Sequence, residues 1–89
     1  GIVNRQIEAA DEADFLAAVL EYARSFCPPQ RASLSVGLIK RSVVTGAELP
    51  LEAGLALERE LQARLFASDD AREGIAAFVE KRKAEFTGH

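Results

Sequence analysis

From Asp11 to Phe86 the apolar residues recur at the three- and four-residue intervals of a helix, and the recurrence breaks three times. Phe15, Val19, Tyr22 and Phe26 follow at intervals of 4, 3 and 4, which places them on one face of a first helix over about 12–26. Asp11 can accept from the free N–H groups of its first turn, with Asp14 three residues on. Pro28-Pro29 ends that helix, because proline lacks an N–H and disfavours a helical residue before it. A second helix over about 30–45 carries Ala32, Val36, Ile39 and Val43, and Gly46 suits the left-handed position beyond its end. Pro50 suits a first helical turn, and a third helix runs on to about Phe66 with Leu51, Leu55, Leu61 and Leu65 as its stripe. Glu58 falls in the middle of that stripe. The fourth helix opens at Ser68-Asp69-Asp70, with Asp70 and Glu73 spaced like a capping box. Ile75, Phe78, Val79, Arg82 and Phe86 continue it at helical spacing.

The first seven residues, GIVNRQI, read instead as a short β-rich segment, and no later segment alternates as a partner strand should. A lone strand leaves its backbone groups unpaired. Either these residues are irregular or their sheet lies elsewhere. The pattern as a whole predicts an all-α fold of about four helices with a short extended segment at the start, residues 1–10, and a helical domain over 11–89.

Length and composition narrow the picture. An 89-residue chain is one small domain, and a chain of this size buries roughly 60–65% of the surface its unfolded form exposes, so partner surfaces can complete its core. With 48% hydrophobic and 28% charged residues it has a globular composition. No apolar run approaches the length of a membrane span, and GIVNRQIEAADE lacks the basic start and apolar segment of a secretory signal. The single cysteine, Cys27, rules out an internal disulfide and supplies no metal cluster, which fits a reducing, cytoplasmic setting. A net charge of −3 argues against a nucleic-acid partner.

No catalytic constellation emerges from the residues. Cys27 as a nucleophile would need a base, and the sole histidine, His89, is the last residue, where chains fray. Asp69, Asp70 and Glu73 could hold a cation only weakly, and the exposed N–H groups at the start of the fourth helix explain them better. Glu58 would pair with a cation such as Arg82 or Arg41, or the helix face is simply wider and wetter than the stripe suggests; a structural pair outweighs general acid/base work. Two readings of Lys81-Arg82-Lys83 stay open. Late in the fourth helix, these cations would simply favour its negative end with their heads in water. Alternatively, Phe78 and Lys81, three apart on one helix face, would together contact an aromatic, phosphorylated ligand.

The segments ALE, F-x-S-D-D-A-x-E-G, A-F-V-E-K-R and F-T-G occur in order within residues 51–88. Each is weak by itself, but the ordered set closely resembles the C-terminal end of the crotonase superfamily, the enoyl-CoA hydratase/isomerase proteins. GIVNRQI is similar to that family's last core strand and its exit into the helical region, so the resemblance spans essentially the whole chain. It implies that residues 1–10 are the end of an upstream core and that 11–89 form a helical trimerisation domain. Its expected partners are that core and neighbouring subunits of a homotrimer or hexamer. The resemblance also implies that the oxyanion hole and the acid/base carboxylates lie upstream, since none of the glutamates here matches those positions. There a thioester enolate needs preorganised donors and placed carboxylates.

By the same resemblance, Phe78 packs near the adenine or pantetheine end of coenzyme A and Lys81 approaches its phosphates. Coenzyme A enters as the thioester carrier of the substrate, with no separate cofactor and no metal. The implied function is a domain that assembles subunits and completes an acyl-CoA site, inactive by itself. The alternative is an independent helical module that self-associates, or binds another protein, without coenzyme A.

Overall fold

The computed structural model describes all 89 residues, Gly1–His89, as four helices and no strand. They are α1 (Glu12–Arg24), α2 (Ser33–Gly46), α3 (Leu51–Phe66) and α4 (Asp69–Glu80). Each boundary has a local cause. The Asp14 N–H donates to Asp11 Oδ1 at 2.9 Å, capping α1. Two prolines follow its last turn, and Pro50 stands just before α3. Ser68 caps α4, its Oγ accepting from the Ala71 N–H at 3.1 Å. That role was expected of Asp70 and Glu73, whose side chains turn elsewhere.

Packing is confined to two interfaces, α2 with α3 and α3 with α4. No Cα of α1 comes within 8 Å of another helix. Leu38 and Leu61 are buried, and with Leu55 and Leu65 they line an open groove of about 660 Å³ between α2 and α3. The stripe expected on α2 is only partly inward: Ile39 and Val43 are more than half exposed. The helix carries an apolar arc wider than one neighbour covers. Its other edge, with Val36, Val44 and Phe26, lines a second shallow groove. Gly46 is the last residue of α2 rather than a left-handed residue beyond it. Its carbonyl would lie 3.3 Å from a Cβ on Gly54, so the missing side chain at Gly54 permits a close approach of α2 and α3.

The N-terminal ten residues form no strand; the Arg5 guanidinium sits 5.3 Å from the centroid of the Tyr22 ring. The molecule measures 46 × 39 × 21 Å with a radius of gyration of 16.3 Å. A compact domain of this length would have about 12 Å. Its accessible surface is 7206 Å², against about 5,100 Å² for a compact chain of this mass. Large apolar side chains contribute to that surface: Phe15, Leu16, Ile39, Val43, Ile75 and Phe78 are all exposed. No helix is long and apolar enough to cross a membrane.

Candidate functional site

The chain reverses after Glu80. Lys81 lies in the left-handed region, φ 55° and ψ 37°, and is the one non-glycine residue with positive φ. The Arg82 N–H donates to the Ala77 carbonyl at 3.0 Å and the Lys81 N–H to the Phe78 carbonyl at 3.3 Å. This is the Schellman ending of a helix, with lysine where glycine is usual. The helix expected to run to Phe86 therefore stops at Glu80, and Lys81, Arg82 and Lys83 lie beyond it rather than in its last turn. The three-residue spacing of Phe78 and Lys81 consequently does not place them on one helix face.

What holds the reversal is a set of acceptors on the first two turns of α4. Glu73 takes a bidentate pair from Arg82, at 2.6 and 2.8 Å, and its Oε1 also accepts from the Glu85 N–H at 2.9 Å. Arg82 Nε donates to Glu80 at 2.6 Å. The hydrogen bonds from Arg82 and from the Glu85 backbone hold the Glu73 carboxyl down at about 2. Asp70 is 2% exposed and carries no salt bridge. One of its oxygens accepts from the Thr87 N–H at 2.7 Å and the Thr87 hydroxyl at 3.2 Å, and the other from the Gly88 N–H at 2.9 Å. Its own N–H donates to the His89 carbonyl at 2.8 Å, so the last residue is fixed rather than frayed.

The returning tail also reaches the turn between α1 and α2. The Phe86 N–H donates to the Pro29 carbonyl at 3.4 Å, and the Phe86 ring lies over Gly74. Gly88, at φ 90°, sits so close to Ser33 and Pro28 that a Cβ there would meet them at 3.1 and 3.3 Å. The F-T-G signature is thus the part of the chain that Asp70 grips.

Among the cations of the reversal, Arg82 is committed to two carboxylates, whereas Lys81 and Lys83 pair with none. Phe78 is 85% exposed, on the last turn of α4. Phe78 thus offers an exposed apolar surface on the last turn of α4, and Lys81, at the turn that follows, an ammonium with no carboxylate partner. Neither residue lines the groove between α2 and α3. Glu58 does line it, exposed, and has neither the Arg82 nor the Arg41 partner expected of it. The sequence pointed to Phe78 and Lys81 but missed the acceptors around them. Asp70, Glu73 and Arg82 are ordinary helix-surface residues until the tail folds back.

All 89 residues match the family model described as Enoyl-CoA hydratase/isomerase. The chain is 38% identical over 71 residues to the 2,3-dehydroadipyl-CoA hydratase of Escherichia coli (strain K12), covering 78% of this chain and 28% of that protein. It is 32% identical over 89 residues to the mitochondrial methylglutaconyl-CoA hydratase of Mus musculus, covering 99% of this chain and 28% of the relative. Among solved structures, an enoyl-CoA hydratase from Geobacillus kaustophilus HTA426 superposes with a TM-score of 0.78 at 38% identity, over 88% of this chain and 29% of that one. The chain thus spans less than a third of each. With a full-length match to the family model and a helical fold shared with its members, this chain belongs to the enoyl-CoA hydratase/isomerase family of the crotonase superfamily.

Proposed function

We propose that residues 11–89 are the C-terminal helical region of an enoyl-CoA hydratase/isomerase-type protein. In this reading they cover its catalytic core, join subunits of a trimer or hexamer, and complete the acyl-CoA site. Residues 1–10 are the exit from that core. One observation carries the reading: about 2,000 Å² of surface beyond that of a compact chain, with large apolar side chains such as Phe15, Leu16 and Val43 exposed and α1 unpacked against any other helix. Such faces are built to be covered. The relatives named above are hydratases of CoA thioesters, and the chemistry proposed for the whole protein is hydration or isomerisation of a 2-enoyl-CoA in the cytoplasm.

Phe78 supplies an apolar wall near the adenine or pantetheine of coenzyme A, and Lys81 a charge for its phosphates. The catalytic donors and carboxylates belong to the core, so the 89 residues by themselves do not turn over substrate.

The test uses the whole protein. Lys81→Ala should weaken coenzyme A binding, measured by titration calorimetry, by about 1 kcal/mol or about fivefold, the scale of one exposed charge. Removal of 11–89 should lower the oligomeric state in sedimentation velocity. If Lys81→Ala alters assembly and leaves coenzyme A affinity untouched, the phosphate contact is refuted. Hydration of crotonyl-CoA by the purified 89-residue chain would overturn the division of labour.

A further inference from the structure

Sequence periodicity would carry α4 straight through Lys81 to Phe86, and the chain instead turns back at Lys81 with an unfavourable backbone conformation. No glycine is present to make that turn easy. The two acidic residues that hold the returning chain, Asp70 and Glu73, are three apart on α4 and gather five separate groups from it: the Arg82 guanidinium, the N–H groups of Glu85, Thr87 and Gly88, and the Thr87 hydroxyl. We propose that Asp70 and Glu73 are positioning residues for Lys81: by gripping residues 82–88 they hold the reversal, and so aim the Lys81 ammonium at the phosphates of coenzyme A. This rests on the assignment of Lys81 to those phosphates made above.

The geometry has a second consequence for charge. Three cations in a row would repel one another and share whatever anion approached. Glu73 and Glu80 take up Arg82 from both sides, its side chain still 41% exposed, and leave Lys81 at the apex of the turn without a carboxylate partner. The Glu73 carboxyl, held down by those hydrogen bonds, keeps that arrangement charged well into the acid range. Were the grip released, the left-handed residue would be free to take the ordinary right-handed conformation and lengthen the helix by the turn its sequence favours. The ammonium would then leave the apex.

The experiment uses the whole protein, with coenzyme A and pantetheine as the two probes. Pantetheine lacks the nucleotide phosphates, so a fault confined to Lys81 appears as a change in the ratio of the two affinities. Glu73→Gln and, separately, Asp70→Asn should each lower coenzyme A affinity about fivefold relative to pantetheine, as Lys81→Ala does. In the Lys81→Ala background neither should lower it further, because the group they position is already gone. Should Asp70→Asn fail to fold, Glu73→Gln, at a more exposed site, decides the matter alone. A ratio unchanged by Glu73→Gln while Lys81→Ala lowers it refutes the positioning role and spares the phosphate contact. Equal loss for both probes refutes it as well, since that is the mark of general damage. No effect of Lys81→Ala itself removes the phosphate contact and the positioning role together.

Discussion

Lys81→Gly separates the backbone of the site from its chemistry. An L-residue in the left-handed region is disfavoured by about 1–2 kcal/mol, and glycine relieves that strain. The same change loosens the unfolded chain, giving back about 0.4–1 kcal/mol. With φ at 55° and the side chain exposed, no packing is lost. The net expectation is a gain of about 0.5–1 kcal/mol, which for a chain of this size raises the melting midpoint by about 4 °C. Thermal unfolding followed by far-ultraviolet circular dichroism measures it, with Ala76→Gly inside α4 as the reference that should lose about 1 kcal/mol. A midpoint that falls for Lys81→Gly as it does for Ala76→Gly would mean that residue 81 is an ordinary helical residue. The reversal would then be refuted. The substitution also removes the ammonium, so stability and coenzyme A affinity of the whole protein should move in opposite directions, a trade-off that marks strain kept for function.

Two further outcomes follow from the same geometry. The Glu73 carboxyl, lowered to about 2 in the folded chain, contributes stability that is fully present above its unfolded value near 4.5 and is lost as pH falls toward 2; a carboxyl carbon-13 titration with its midpoint near 4.5 would contradict the Arg82 pair. At the helix crossing, Gly54→Ala sets about 1 kcal/mol of helix propensity against a Cβ that meets the Gly46 carbonyl at 3.3 Å, so in a urea titration it should stabilise less than Gly46→Ala, which has open space at its Cβ.

The starts of α1 and α3 were legible because the signals that set them are local: Asp11 and Pro50 act within one turn, and these helices begin at Glu12 and Leu51. The α2 start at Ser33 falls about three residues after the expected one, because Ala32 offers no side-chain cap, and α4 begins where expected but is capped by Ser68 rather than Asp70. The end of α4 was not legible. Arg82 and Phe86 keep the helical period, and the residue that breaks it is a lysine, which gives no turn signal. The cause is a set of hydrogen bonds spanning 9 to 18 residues, to Glu73 and Asp70, which no local signal announces. Phe78 and Lys81 could be picked out through family resemblance, whereas Asp70 gains meaning only when Thr87 and Gly88 arrive beside it. The apolar stripes failed in a different way. Ile39 and Val43 are patterned for burial and stay exposed, since periodicity reports which face seeks cover and not whether this chain supplies it.

The isolation of α1 bears on how this region meets its partner. A helix of 13 residues is marginal in water without tertiary support, since nucleating its first turn is unfavourable. With no other helix packed against it, α1 would gain persistence from a surface that covers Phe15 and Leu16, and in the assembly proposed above its folding would be coupled to its docking. Part of the affinity of such a contact would go into ordering the helix, giving an attachment more specific than tight. The α1 amide protons would then gauge assembly: they should exchange rapidly in the 89-residue chain and slowly once that surface is occupied.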